Sequence, residues 1–314
     1  MGVFGKGMDV SDSEVGGSIR RLISGAGVER PPVLLWKHFR CDEPRELARR
    51  TVDFYREHHL AAAKVMPDIP LLFEDSALSS WSQVTQLRSF GPAPQVGRAA
   101  EYIRAVQLTG AQLGPGDVLL ATIFSPLGLI GLWCGRRGLR QMADGARAVA
   151  HEVLWALARL VSRLAEECVA AGADGVYYSC WGQDVLSVEE YGELGQPYDL
   201  AGLRGAAAAE FRLLHVHGAL DAAVGRYASY PVQVVGWSEA ESAIGLPQGA
   251  DLLPGKFVMG GISELRGEGA LAADRARLGQ LRESLGPNFV VAPGCSLPDD
   301  IGAAELAALR ELVE

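Results

Sequence analysis

The sequence predicts an α/β protein: a single (β/α)8 TIM-like barrel over residues 31–314, preceded by an N-terminal extension over residues 1–30. Three observations carry this prediction. Short apolar runs alternate with amphipathic stretches along most of the chain, which is the pattern of parallel strands buried on both faces by helices. The number of such units over 314 residues suits a closed barrel better than an open sheet. No break in composition and no internal repeat divides the chain.

The first 30 residues are polar and glycine-rich, with one weakly helical piece around Ser11 to Ser24, and form a candidate lid. PPVLLW follows as a short extended run, read as an edge or part of the lid and as the uncertain member of the strand set. EPRELARRTVDFYREHHL reads as an amphipathic helix with Pro44 in its first turn. Seven strands are expected: AAAKVMPD, VLLATIF (118–124), DGVYYS (174–179), RLLHVH, VQVVGW (232–237), KFVMGG and NFVVAPG. Between them the pattern predicts a helix near Gly97 to Leu113, a long one from about Gln141 to Ala171, shorter ones after Ser179, and one after Ala219. Another is expected near Leu271 to Ser284, and a last from Ala303.

Composition narrows the function. A net charge of −9 and a pI near 5.3 disfavour nucleic acid and acidic membrane surfaces, leaving a small molecule as the expected partner. No apolar run approaches the roughly 20 residues of a membrane span, and the N-terminus lacks the apolar core of a signal peptide, so a cytoplasmic location is expected. The five cysteines are odd in number and scattered, which predicts reduced thiols. Only four of the 29 basic residues are lysine, a bias read as genomic base composition.

The chemistry is expected at FRLLHVHGAL. Alternation in a strand puts Leu213, His215 and His217 on one side, and the C-terminal ends of barrel strands are where such folds carry their chemistry. Asp68, Ser179, Trp237 and Cys295 end other strands. Two imidazoles and a thiolate leave a fourth position open, the pattern of a catalytic zinc, and the same donors accept copper or iron. Taken singly, each residue is more simply a core histidine or a small buried thiol; together they favour metal binding. His58 and His59 diverge by about 100° on a helix and read as a surface pair. Trp133 and Cys134 read as packing a helix start, and Arg136 and Arg137 as a solvated turn.

From about Pro32 onward the order of motifs resembles the uroporphyrinogen decarboxylase superfamily, which includes corrinoid-linked methyltransferases. KVMPD, FSPLGLIG, DGVYYSCWGQDVLSVEEYGELGQPY, LLHVHG, KFVMGGISE and VVAPGCSLPDD are similar to its successive strand-end segments. The resemblance implies that Asp68 and Ser179 touch substrate, with Trp181 beside them, and that Asp68, Ser179 and His215 are catalytic; Trp237, at its strand end, is expected to line the substrate as well. His215 and Cys295 match the first and last zinc ligands of the methyltransferase branch, and His217 stands where that branch has a cysteine. The arginines with which the decarboxylases bind macrocycle carboxylates have no counterpart between Met1 and Cys41. The expected activity is therefore metal-dependent group transfer, of a methyl group, onto an activated thiol or water. A separate corrinoid protein is the candidate donor, and a homodimer the candidate assembly. The alternatives are a metal-independent decarboxylase of a substrate smaller than uroporphyrinogen, with Asp68 and a histidine in acid–base roles, and a non-catalytic barrel that holds a metal or a tetrapyrrole.

Overall fold

A computed structural model describes residues 12–70, 78–89 and 98–313. Seven parallel strands pair in sequence order into one curled sheet: β1 (Ala63–Val65), β2 (Leu119–Phe124), β3 (Gly175–Cys180), β4 (Phe211–Val216), β5 (Val234–Trp237), β6 (Phe257–Ile262) and β7 (Phe289–Pro293). All seven expected strands are present. The helices are α1 (Asp12–Ile23), α2 (Pro44–Glu57), α3 (Trp81–Val84), α4 (Ala99–Gly110), α5 (Pro126–Asp144), α6 (Arg147–Ala170), α7 (Val188–Leu194), α8 (Gln196–Leu203), α9 (Leu246–Asp251), α10 (Ala270–Leu285) and α11 (Ala303–Val313).

Strand alternation divides the core into two layers. Leu120, Tyr177, Leu213, Val234, Met259 and Val290 pack together on the inner, concave face. Their neighbours Ala121, Val176, Tyr178, Leu214, Val235 and Val291 face outward into the helices. His215 follows Leu213 by two residues and therefore points inward.

PPVLLW is neither an edge nor a lid. The amide of Leu34 donates to Val291 O (2.9 Å), that of Val291 to Pro32 O (2.8 Å), and that of Ala61 to Val33 O (2.8 Å), so the segment lies between β7 and the start of β1. Leu34, Leu35 and Trp36 are buried there. With two partners already satisfied on either side, its backbone has the hydrogen bonding of an interior strand rather than of an exposed one.

The N-terminal helix α1 lies away from the strand ends that carry His215. Residues 1–11 lie outside the described residues, as does Gly97, but α1 packs Ile19 and Leu22 into the inner cluster from the opposite end. Arg20 fixes it there, donating to Asp174 (2.8 Å), to Glu210 (2.9 Å) and to the carbonyls of Gly116 and Asp117, residues that precede β2, β3 and β4. The expected long helix from Gln141 is two: Gly145 and Ala146 hold extended backbone between α5 and α6. The stretch after Ala219 forms a 3-10 turn, Ala222–Ser229, rather than an α-helix. Trp133, Cys134 and the two arginines after them lie within α5, at a kink where Gly135 has φ 62°. His58 is buried edge-on to Phe54, which lowers its pKa by desolvation; only His59 of that pair is exposed.

Behind β3, the fully buried Asp199 accepts from the hydroxyls of Tyr191 (2.7 Å) and Tyr230 (2.8 Å). Burial pushes its carboxyl up to about 6 from 3.8. Because the folded state holds this proton more tightly than the unfolded chain, the stabilisation is complete below pH 3.8 and is lost as pH rises through about 6. Asp199→Asn should remove that decline, worth about 3 kcal/mol, from urea-unfolding free energies measured between pH 4 and 7. A variant whose profile runs parallel to wild type would show that the carboxyl is ionised throughout.

Candidate metal centre

Three strand-end side chains converge on the inner face. The ligand atoms of His215, His217 and Cys295 all lie within 4.8 Å of one another. Cys295 Sγ is 3.5 Å from His217 Nδ1. Bonds of about 2.1 Å to nitrogen and 2.3 Å to sulfur at a tetrahedral angle place those two atoms about 3.6 Å apart, so the observed separation fits a shared four-coordinate ion.

Each of these side chains is held by its own local structure. His217 lies just past β4, its amide donating to Cys180 O (2.8 Å) and its carbonyl accepting from Gln183 Nε2 (2.8 Å). Gly218, at φ 89°, turns the chain away; a β-carbon there would stand 2.6 Å from Asp184, whose carboxylate pairs with Arg136 of α5. Cys295 follows Gly294, where the chain passes so close to Ser238 and Glu264 that a β-carbon would collide with both. The ring of Trp181 meets His217 edge-on at 5.1 Å, and that of Tyr177 stacks on His215 at 5.8 Å.

The electrostatics suit a metal more than a free acid–base pair. Burial, together with the charges of His217 and Lys64, pushes His215 down to about 3, so its imidazole is neutral and its lone pair available near neutral pH. Burial raises the Cys295 thiol, which is therefore protonated without a cation to claim the sulfur.

The other expected site residues divide. Ser179 sits on the inner face directly beside His215 in the β3–β4 register. Asp68 is committed elsewhere: Oδ1 lies 2.5 Å from His38 Nδ1 and Oδ2 accepts from the Phe39 amide at 2.6 Å, which ties the end of β1 to the segment after Trp36. Trp237 is not at the site. In β5 the inward positions are Val234 and Gly236, and the tryptophan packs outward, fully buried, over Gly249 of α9, with Nε1 donating to Ile244 O.

Three groups that sequence reasoning passes over stand at or near the cluster: Lys64, Tyr177 and Glu264. The Tyr177 hydroxyl and Glu264 Oε2 are buried without a hydrogen-bond partner among the described residues, and the Lys64 amine is buried as well. Only Lys64 left a signal in the sequence, as one charge inside the apolar run AAAKVMPD.

The sequence profile described as uroporphyrinogen decarboxylase (URO-D) matches residues 68–314. No curated protein sequence matches. Among solved structures, a methyltransferase from Methanosarcina mazei superposes with a TM-score of 0.76 at 14% identity, covering 95% of this chain and 97% of its own. A protein described as a vitamin-B12-independent methionine synthase, from Listeria monocytogenes, gives a TM-score of 0.57 at 15% identity over 86% of this chain and 85% of its own. At these identities the likeness is one of fold. No helix among the described residues is long and apolar enough to cross a membrane.

Proposed function

Because the chain belongs to the uroporphyrinogen decarboxylase family, and because its inner face gathers His215, His217 and Cys295 at one point, we propose that it is a metal-dependent transferase acting on a small molecule. The convergence of these three donors is the observation that carries the reading. The metal, zinc by the donor set and copper or iron by the same ligands, would supply Lewis acidity that brings a thiol or water to its anion near neutral pH. The methyltransferase neighbour favours methyl transfer, and the resemblance to the corrinoid-linked branch implies a thiol acceptor and a separate corrinoid protein as donor.

This chain's own residues prepare the position. His215 stays neutral because it is buried, and the stacked Tyr177 ring fixes its plane. His217 is oriented from behind by Gln183 and on its face by Trp181. Ser179 is placed to hydrogen-bond a substrate atom beside His215. Two imidazoles with one thiolate make the set one unit more positive than a His/Cys/Cys set, which favours binding and ionising the acceptor over pushing it forward. The fold is proposed as a (β/α)8-type barrel in which the segment from Pro32 stands as the eighth stave, supported by its bonds to both sheet edges.

Elemental mass spectrometry of the purified protein tests the metal directly. Wild type should carry about one equivalent, and His217→Ala and Cys295→Ala should each lose most of it, since dropping one of three ligands leaves too few donors for a stable site. Circular dichroism should show all three proteins folded. Metal-free wild type, even after reconstitution under reducing conditions, would overturn this reading.

A further inference from the structure

On the outer wall, α6 and the end of α8 enclose a groove of about 330 Å³, whose aromatic and polar lining is Trp155, Arg159, Ser162, Arg163, Glu166 and Arg204. That volume is in the range of small-ligand sites. The α6 residues recur every three or four positions and so form one stripe along the helix, with Arg159 about 6 Å and Arg163 about 12 Å beyond Trp155. Arg204 reaches the groove from the other side because Gly205 lets the chain after α8 rest on α6: a β-carbon there would stand 1.7 Å from Ser162 O. None of these residues belongs to the trio on the inner face.

An exposed tryptophan or arginine by itself is an ordinary surface residue. Here the ring is braced and two cations are unspent. Trp155 is 44% exposed, yet it packs edge-on at 5.1 Å against Tyr198, which is buried with its hydroxyl 2.5 Å from His151 Nδ1. The indole therefore offers its surface with little rotamer freedom left to lose. The guanidiniums of Arg159 and Arg204 have no hydrogen-bond or ion-pair partner among the described residues, whereas Arg163 is committed to Glu166 (2.9 Å) and Glu167 (2.8 Å). In a chain with 38 acidic against 29 basic residues, two unpaired guanidiniums in one concavity make a local excess of positive charge. Each is a planar fork of donors suited to an oxyanion.

We propose that this groove binds a small aromatic anion of the nucleoside monophosphate class, its ring on Trp155 and its phosphate between Arg159 and Arg204. Stacking on an indole tolerates any planar base, and two guanidiniums answer a dianionic phosphate better than a single carboxylate. The rise of about 6 Å from Trp155 to Arg159 leaves room for one sugar between ring and phosphate. Glu166 closes the far end of the stripe with negative charge, so the groove fits one nucleotide rather than a longer anionic chain. This site stands apart from the metal-dependent reading, because no residue in it is a candidate metal ligand.

Calorimetric titration of the full chain with AMP, GMP, CMP and UMP tests this. At least one should bind with a Kd below about 1 mM, and its nucleoside and inorganic phosphate, each half of the ligand, should bind about tenfold or more weakly. Trp155→Leu, Arg159→Gln and Arg204→Gln should each weaken binding by about tenfold with unchanged circular dichroism. Arg275→Gln removes an exposed charge elsewhere, on α10, and should bind as wild type does. The site is overturned if none of the four binds, if phosphate alone binds as tightly, or if Arg275→Gln weakens binding as much as Arg204→Gln. Binding of an oligoglutamate peptide in place of the nucleotides, or self-association in sedimentation that Trp155→Leu abolishes, would assign the groove to a macromolecule and overturn it as well.

Discussion

Lys64→Met is expected to stabilise the protein by about 3–5 kcal/mol at pH 6, an unusual direction for a substitution in a core. Burial pushes the Lys64 ammonium down to about 7 from 10.5, against the opposing pull of Cys295 and Asp68. Between those two values the unfolded chain holds a proton that the folded protein has released, so stability rises with pH across the window. Below about 7 the cost of burying the cation is present in full; near 10.5 it has vanished. Methionine has nearly the same length, no charge, and an affinity for aromatic faces, so it should fit between Trp36 and Tyr177 with little loss of contact. The lost cation–π attraction, about 2 kcal/mol when desolvated, keeps the gain below the full shift of about 5. Urea unfolding of both proteins at pH 6 and pH 10 checks this: the gap should be large at the first and nearly closed at the second. A variant less stable at pH 6, or a gap independent of pH, would mean that Lys64 is neutral or well solvated in the fold.

The same residue marks how far the sequence could be read. Strand existence was legible because parallel strands are continuous apolar runs, and AAAKVMPD remained one despite its lysine. What the run cannot tell is which residues face in. At β4 the histidines are spaced by two and one inward residue fixes the rest, so the His215 and His217 pair was legible. At β5 the strand end was read as the site, but parity puts Gly236 inward beside His215 and Trp237 outward, where Gly249 makes room for it. PPVLLW was under-read for lack of length: its partners, Val291 and Ala61, are tertiary, and nothing local distinguishes a segment bonded on both sides from an edge. Asp68 was placed correctly at the end of β1 but not its partner, because His38 is 30 residues away. Lys64 and Tyr177 were missed for the same reason. Among the described residues the Tyr177 hydroxyl has no hydrogen-bond partner and Lys64 has a thioether and two aromatic faces for neighbours, which only the packed structure reveals.

The largest expected loss comes from the opposite arrangement, a buried charge that is paired. Arg266 and Asp274 are 6% and 3% exposed at their side chains and form an ion pair, with Arg266 also donating to Ser263 O (3.1 Å) and Glu305 (2.8 Å). Asp274 accepts in turn from the Ser263 amide at 3.0 Å. Arg266→Met should cost about 3–5 kcal/mol, because it leaves the Asp274 carboxylate buried without its cation. The double variant Arg266→Met with Asp274→Leu should recover most of that loss, since an apolar pair of similar volume avoids the desolvation of both ions. Urea unfolding of the single and double variants separates the two cases: a single variant within about 1 kcal/mol of wild type would place the pair in the class of solvated surface bridges. The effect should also reach the candidate metal centre. Arg266 anchors the loop after β6 to α10 and α11, and that loop carries Glu264, whose carboxylate packs against Gly294 and Ser238 immediately before Cys295. Releasing the loop frees the backbone that positions the thiol, so Arg266→Met should bind metal more weakly than wild type. Its metal content should still exceed that of Cys295→Ala, because all three ligands remain present. A single variant that is strongly destabilised yet holds its metal as wild type does would show that β7 alone fixes Cys295.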